Sequence, residues 1–419
     1  MSRALAALAV VAVVACSQNM SLPASAEAAD AGVADGGMSA TASVANAAGS
    51  MASAAGSAAS SAAASAADAG MAAAGSMAAA AADAGAAAVA AVKAEVAPGP
   101  APASIEGIKL PDAPALPAAP AFLGDVQPSP DNPLTAEKAA LGHQLFFDKR
   151  LSKTGLTSCE SCHHPALAWT SGEVVDKKDD GKMNKRNAPT MENLGYHQNG
   201  YYWDGRMATL EAVSNAALKG QLGADPKETA QKLNAIGTYR AEFQRAFKED
   251  ATADNVPRAL ASFLRALKTG NAPWDRHEGG DKKAVNKEVI AGQKAFEKAA
   301  CALCHVPPLY TDFQFHATGA GASEDHGRMD FSKDAKDDGK FKTPTLRDVS
   351  KTGPWFHDGS AKTLDEAIDF MLGGGKAGAL NLDEKLKPHK LSAAEKKALK
   401  AFIASLSGTA TYNEAPSLP

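Results

Sequence analysis

This 419-residue chain contains one short motif twice, as Cys159-Glu-Ser-Cys162-His163 and as Cys301-Ala-Leu-Cys304-His305. These two copies are the strongest indication of its fold. They contain four of its five cysteines, and the fifth, Cys16, stands alone near the N-terminus. Since each cysteine pair belongs to one of the two motifs, no pair is left over for a disulfide bond. The sequence is therefore not that of a small disulfide-stabilised protein.

Each motif has the spacing that covalent haem attachment requires. Two cysteines at positions i and i+3 can bond to the two vinyl groups of one haem, and the histidine that follows can bind its iron. A zinc site would need four such ligands in one cluster, and a thioredoxin-like redox pair needs no histidine. The two copies therefore favour two c-type haems, with His163 and His305 as iron ligands.

The sequence around the two motifs is duplicated. Asn187-Ala-Pro-Thr190 matches Lys342-Thr-Pro-Thr345, and residues 202–211 match residues 356–365 at nearly the same spacing. Two tandem copies of one unit explain this pattern better than chance. The second copy carries an insertion at 317–338, rich in Gly, Asp and Lys, which is predicted to be a loop.

Helical periodicity dominates the chain from residue 121 onward. Apolar residues recur at helical spacing in four segments, namely 135–147, 229–247, 256–268 and 286–298. Ser392-Ala-Ala-Glu395 is a capping box that predicts a last helix ending near Leu406. Strand patterns are sparse, so the predicted fold is mainly α. Its two domains are expected at 121–275 and 276–419, each around one covalent haem.

The first 120 residues predict export and a tether. Residues 1–16 combine a charged start with a short apolar stretch, and Val13-Val14-Ala15 before Cys16 resembles a bacterial lipoprotein signal. Cys16 would then carry a lipid, and Ser17 favours the outer membrane; an ordinary signal peptide is the alternative. Residues 17–120 are rich in Ala, Gly, Ser and Pro and have no aromatic residue, which predicts a disordered tether.

Charge and hydropathy exclude two classes of protein. The chain has 43 basic and 47 acidic residues, a net charge of −4, so it lacks the basic character of a nucleic-acid-binding protein. Beyond the N-terminal signal no stretch has the ~18 consecutive apolar residues of a membrane-spanning helix. We therefore expect no nucleic-acid partner and no contact with a membrane except through the lipid.

Residues 130–410 resemble the bacterial diheme cytochrome c peroxidase superfamily, which also includes the diheme enzyme that matures methylamine dehydrogenase. Besides both haem motifs, the matching segments are Leu145-Phe-Phe-Asp-Lys-Arg-Leu-Ser152, Asn187-Ala-Pro-Thr190, Trp203-Asp-Gly-Arg206, Phe341-Lys-Thr-Pro-Thr-Leu-Arg347 and Pro354-Trp-Phe-His-Asp-Gly359. They occur in the family's order and spacing. The resemblance implies two tandem cytochrome c-type domains, a first haem that reacts with peroxide and a second that accepts electrons.

The resemblance also implies a ligand and a relay. The second haem of the family has a methionine ligand 14 residues after the histidine of its His-Asp-Gly motif, which is Met371 here. Thioether ligation raises a haem's potential, and the maturation enzyme has Tyr at this place, so Met371 favours the peroxidase branch. The weaker candidates are His316, His326, Met329 and His357. Trp203 would relay electrons between the haems, unless it is only a core residue.

A calcium ion between the haems is implied in the same way. The family binds it through the asparagine of Asn-Ala-Pro-Thr and two backbone carbonyls, which correspond to Asn187, Thr352 and Pro354. Oxygen donors suit a hard cation. The alternative is an asparagine that holds a turn.

The sequence departs from the family around the first haem. Many members have a histidine that blocks this haem until the second is reduced, but residues 165–196 contain none. The first haem is therefore expected to be open to ligands, although Met183 or a lysine could still reach it.

The second departure concerns proton transfer. Counted from Trp203, the family's catalytic Glu and Gln fall on Gly223 and Val213. An alignment from the downstream helix places the Glu at Gln221, and a gapped alignment places it at Glu228. Cleavage of peroxide needs a group that moves a proton, and a glutamine side chain does not titrate. Glu228, another group or slow turnover are the alternatives.

The predicted function is reduction of hydrogen peroxide to water by an exported, periplasmic, lipid-anchored enzyme. Its electrons would come from a small c-type cytochrome or a copper protein, and the family implies a homodimer. One alternative is a diheme oxidase that oxidises a protein partner through high-valent haem, which the open first haem favours. The other is a tethered diheme electron carrier without peroxidase activity, which the missing Glu favours.

Overall fold

The computed structural model describes residue 102 and residues 104–127, 129–321 and 324–419. The predicted signal with Cys16 and most of the tether lie outside the described residues. In the described part of the chain no helix is long and apolar enough to cross a membrane.

The predicted tether differs from the structure at its C-terminal end. Residues 104–120 form no helix or strand but lie against the first half of the protein. Backbone carbonyl oxygens of three prolines in or next to this segment accept hydrogen bonds from side chains of the helical region. They are Pro102 from Arg240 (2.8 Å), Pro111 from Arg245 (2.6 Å) and Pro117 from Lys268 (3.1 Å). A Pro-rich segment cannot pair its backbone carbonyls in a helix, so arginine and lysine side chains bond them instead. The part of the chain that packs on the first half therefore begins before residue 121.

The first half is helical. Its α-helices are, in chain order, α1 (Ala136–Phe147), α2 (Leu210–Gly220), α3 (Pro226–Asn234), α4 (Gly237–Phe247) and α5 (Asn255–Ala266). The helical pattern over 229–247 is thus divided into two helices at Ile236, whose backbone is extended. Asn234 stabilises this break, because its side chain exchanges two hydrogen bonds with the backbone of Ala251, at 2.9 and 2.8 Å.

The second half repeats the helical character. Its α-helices are α6 (Pro273–Glu278), α7 (Lys287–Lys298), the one-turn α8 (Met329–Ser332), α9 (Leu364–Leu372) and α10 (Ala393–Ala404). The predicted capping box is present at the start of α10, where Ser392 and Glu395 exchange hydrogen bonds. The insertion at 317–338 is mostly loop, as predicted, and contains α8 and one 3₁₀ turn.

One close helix pair forms the centre of each half. In the first, α1 packs on α5, and a Cβ at Gly142 would lie 2.0 Å from the carbonyl oxygen of Ala259. In the second, α7 packs on α10, and a Cβ at Gly292 would lie 1.9 Å from the carbonyl oxygen of Ala398. Both helix crossings therefore require glycine, and the central helix pairs of the two halves pack in the same way.

The described strands form two short pairs, of which the first joins the two halves and the second lies within the second half. β1 (Thr269–Gly270) pairs antiparallel with β4 (Thr409–Ala410), and β2 (Phe315–Ala317) pairs antiparallel with β3 (Lys340–Lys342). After β4, Tyr412 packs against Phe263 of α5, with ring centroids 5.2 Å apart. The C-terminal tail thus completes the core of the first half, although the predicted boundary assigned it to the second domain.

Candidate haem sites

The first haem motif opens onto a cavity of about 550 Å³. Cys159, Cys162 and His163 line it. The Nδ1 atom of His163 lies 3.0 Å from the carbonyl oxygen of Trp169, so Nδ1 donates a hydrogen bond and Nε2 carries the lone pair. Burial lowers the pKa of His163 to about 4, and the imidazole is therefore neutral at neutral pH, as an iron ligand must be.

The second motif has the same arrangement. Cys301, Cys304 and His305 line a cavity of about 230 Å³. His305 Nδ1 lies 3.0 Å from the carbonyl oxygen of Tyr310, and burial lowers the pKa of His305. Met371, on α9, lines this cavity and supplies the only thioether among its described lining residues.

The donor groups fit two c-type haems better than either alternative. Burial raises the pKa of Cys159 and of Cys162 to about 12 and that of Cys301 to about 11. These groups are therefore thiols rather than the thiolates of a reactive redox pair. Each motif has its own cavity with one neutral histidine, whereas a structural zinc site would need the ligands of both motifs together.

Two weaker ligand candidates also line the second cavity; only His316 has both ring nitrogens engaged, whereas the buried Nε2 of His357 has no hydrogen-bond partner among the described residues. His316 is held between two carboxylates, with Nε2 at 3.0 Å from Asp312 and Nδ1 hydrogen-bonded to Asp383. His357 stacks on Phe341 with ring centroids 3.6 Å apart. His326 and Met329 do not line this cavity.

From the turn at Tyr201 to the start of α2 the structure aligns the internal repeat residue by residue. An isolated antiparallel bridge joins Tyr201 to Met207 in the first half and Trp355 to Ala361 in the second, an offset of 154 residues. Threonine side chains cap the helices that follow, Thr209 before α2 and Thr363 before α9, again 154 residues apart. The helices α2 and α9 are therefore equivalent in the two halves.

This equivalence places Ala217 of α2 where α9 has Met371. Ala217 lines the first cavity as Met371 lines the second. A methyl group thus occupies the position of the thioether in the first half. The sequence analysis missed Ala217, although subtracting the repeat offset from Met371 would have found it.

No second histidine lines the first cavity among the described residues. Met183, which the sequence left as an alternative ligand of this haem, does not line the cavity and is 57 % exposed. Lysines at 177, 178 and 185 do line it, together with Arg186 and Arg206. Lys185, Arg186 and Arg206 pair with aspartates, whereas Lys177 and Lys178 have no ion pair among the described residues and suit the two carboxylates that a c-type haem carries.

The structure separates the two candidate proton-transfer residues. Gln221, at the C-terminal end of α2, lines the first cavity, and so does Val213. Glu228 lies in the first turn of α3, is exposed and does not line the cavity. Gly223 is also exposed and outside the cavity lining. Of the two, only Gln221 is brought to the first haem motif.

Trp203 lies between the two cavities, because it is a lining residue of both. Its Nε1 donates to the carbonyl oxygen of Asn187 at 2.9 Å, and its backbone carbonyl accepts from Lys342 at 2.7 Å. Its ring centroid is 6.4 Å from that of His357, the residue at the equivalent position of the repeat. The equivalent turns of the two halves therefore meet at this point.

Asn187, Thr352 and Pro354, the three residues implied in calcium binding, line one smaller cavity of about 120 Å³. The side-chain nitrogen of Asn187 donates to the carbonyl oxygen of Glu173 at 2.7 Å, which orients its amide. Lys342 also lines this cavity, and burial lowers the pKa of its ammonium group to about 8. The three residues thus share one cavity, which two cationic residues, Lys342 and Arg347, also line.

Comparisons with known proteins agree with this geometry. The family model for di-haem cytochrome c peroxidase matches residues 136–283. The cytochrome-c peroxidase IdrP1 of Denitromonas iodatirespirans is 36 % identical over 338 residues, which cover 71 % of this chain and 89 % of the relative. The methylamine utilization protein MauG of Methylorubrum extorquens is 36 % identical over 295 residues, covering 69 % and 83 %.

A solved structure shows the same fold. The crystal structure of a MauG-like protein associated with microbial copper homeostasis superposes with a TM-score of 0.63 at 30 % identity, covering 69 % of this chain and 95 % of that protein. The family relationship implies two c-type haems, which the two cavities fit. The chain is therefore an oxidoreductase and belongs to the di-haem cytochrome c peroxidase family.

Proposed function

We propose that this protein reduces hydrogen peroxide to water at its first haem. The observation that carries the proposal is the difference between the two cavities at one position of the repeat. Met371 would supply a second iron ligand in the second half, whereas Ala217, which lines the first cavity at the equivalent position, has no side-chain atom that could bind iron. An open iron site can bind a small molecule, and a histidine–methionine site suits electron transfer.

The residues divide the work accordingly. The first haem, held by Cys159, Cys162 and His163, would supply the iron for peroxide reduction, in which each peroxide takes up two electrons and two protons to give two waters. His305 and Met371 hold the second haem at a raised potential, so that it accepts electrons. Trp203 lies between the two cavities and relays these electrons. A small c-type cytochrome or a copper protein is the proposed electron donor.

A second candidate function is oxidation of a protein partner. It is supported by the relatives named methylamine utilization protein and by the open first cavity. Met371 weighs against it, because the maturation enzyme that the sequence resembles has Tyr at this place. A tethered electron carrier is the weakest candidate, since it gives no role to an open cavity.

Location and calcium binding are part of the proposal. Export, a lipid on Cys16 and a periplasmic site at the outer membrane rest on the N-terminal sequence pattern. A calcium site at Asn187, Thr352 and Pro354 rests on the cavity that they share. The Lys342 ammonium at that cavity opposes a cation, so calcium affinity should increase as the pH rises above the pKa of Lys342.

The oxidised protein is expected to bind cyanide at one haem without prior reduction. Substitution of both Cys159 and Cys162 by Ala should remove half of the haem and all cyanide binding, leaving one low-spin haem. The matched variant with Cys301 and Cys304 replaced by Ala should keep a high-spin haem that binds cyanide. The measurements are the haem content of each variant and its absorption spectrum with and without added cyanide. A first haem that stays low-spin until half-reduction would refute the open resting site from which the function is proposed.

Glu228→Gln is expected to leave peroxide reduction unchanged within about twofold. Its carboxylate is exposed and does not line the first cavity, so it cannot serve as the general base there. Stopped-flow measurement of peroxide consumption tests this. Loss of more than roughly 100-fold, the usual contribution of a general base, would instead show that α3 moves to the haem and that Glu228 carries the proton.

A further inference from the structure

The first cavity contains a hydroxyl group that the proposed function has not yet used. Ser214 lies in the middle of α2 and is only 4 % exposed. Its Oγ atom is buried and has no hydrogen-bond partner among the described residues. A buried hydroxyl without a partner is costly, which indicates that a ligand of the cavity satisfies it.

Ser214 is on the helix face that meets the first haem motif. Ser214, Ala217 and Gln221 are spaced at i, i+3 and i+7, so they share one face of α2, and all three line the cavity. Ala217 is the equivalent of the iron ligand Met371 in the second half. Ser214 therefore lies one helical turn from the point at which the other half brings an atom to its iron.

The equivalent residue in the second half supports a specific role. It is Ile368, which lines the second cavity. In the second cavity, which has a methionine at 371, this position is the apolar Ile368. In the first cavity, which has an alanine at 217, it is the hydroxyl-bearing Ser214. If the helix itself required a particular residue here, the requirement would be the same in α2 and α9. The change from isoleucine to serine instead correlates with the absence of a methionine ligand in the first half.

Asp176 is the other unpartnered polar group on this cavity. Its Oδ2 is buried without a hydrogen-bond partner, and burial raises the pKa of its carboxyl group. It lies beside the thiol of Cys162, on the side where the haem is attached to the chain. It is therefore less suited than Ser214 to meet a small molecule on the open side.

We propose that Ser214 is the hydrogen-bonding residue for the oxygen ligand of the first haem, with the amide of Gln221 beside it. This proposal rests on the proposed function. A hydroxyl can donate a proton to one oxygen of bound peroxide in a hydrogen bond and accept one from the other. Ser214 forms no covalent bond and loses no proton, so it orients peroxide while the protons come from water. Neither side chain titrates, so Ser214 and Gln221 position the peroxide and are not its acid or base.

Fluoride is the probe for this role, because it binds oxidised haem iron as an anion and accepts hydrogen bonds. Ser214→Ala should weaken fluoride binding to the oxidised holoprotein by about 10- to 100-fold, the value of a hydrogen bond to a charged group. Ser214→Thr keeps the hydroxyl and should retain most of the affinity. The matched control is Ser262→Ala in α5, which removes a buried hydroxyl that is bonded to Arg258 and does not line the cavity.

The outcomes separate the two proposals. Equal fluoride affinity in wild type and Ser214→Ala, with unchanged haem content and spectrum, would overturn the role of Ser214 and leave the open first haem intact. If the wild-type first haem is low-spin and binds no fluoride, the open first haem that carries the proposed function is wrong, and the role of Ser214 fails with it. If Ser262→Ala weakens fluoride binding as much as Ser214→Ala, the effect is one of packing, which also overturns the proposal.

Discussion

Ala217→Met is expected to close the first haem to ligands. Because α2 and α9 are equivalent at an offset of 154 residues, a methionine at 217 would extend into the first cavity as Met371 extends into the second. The oxidised protein should change from one high-spin and one low-spin haem to two low-spin haems. Affinity for cyanide and fluoride should fall roughly 100-fold or more, because a tethered ligand competes at a high effective concentration. Peroxide reduction should be lost.

Two variants show whether ligation is the cause. Ala217→Leu fills similar space without a sulfur atom, so it should leave the first haem high-spin. Ala216→Met introduces the same side chain at the next residue, which does not line the cavity, and should leave ligand binding unchanged. A high-spin, cyanide-binding first haem in Ala217→Met would show that α2 does not pass over the iron and that the repeat is not functionally equivalent at this position.

Trp203→Phe is expected to slow electron transfer from the second haem to the first. The indole lines both cavities, is polarisable and is more readily oxidised than a benzene ring, so it shortens the path through the protein. Phenylalanine keeps much of the volume but loses the hydrogen bond from Nε1 to Asn187. We expect transfer to slow at least about tenfold, which corresponds to ~1.4 kcal/mol in the barrier. Both haems and fluoride binding at the first should be retained.

The measurement mixes half-reduced protein with peroxide and follows reoxidation of the second haem by stopped-flow absorption. Trp355→Phe is the matched control: its Nε1 donates to the carbonyl oxygen of Val349 at 2.9 Å, and it lines the second cavity but not the first. It should therefore lose the same kind of bond without slowing transfer. A native rate in well-folded Trp203→Phe would show that Trp203 is a packing residue and not a relay.

Some structural predictions from local sequence were confirmed. The helical patterns before both haem motifs became α1 and α7, and the capping box at Ser392 begins α10. Such signals lie within a few residues of one another, and the backbone hydrogen bonds that they determine are equally local. Division of the predicted helix at Ile236 was not foreseen, because it depends on Asn234 reaching Ala251, a partner beyond the next helix.

The sequence alone was enough to predict the residues that attach the two haems, namely the cysteine pair and the histidine of each motif, whereas Met371 followed from the family resemblance. Spacing along the chain suffices for the motifs, because the two cysteines and the histidine of each lie within one short segment and act on one cofactor. Which residues of α2 and α3 lie at the first haem motif depended on the tertiary structure. Ser214 and Gln221 line that cavity and Glu228 does not, since lining depends on which face of a helix meets a motif more than fifty residues earlier in the chain.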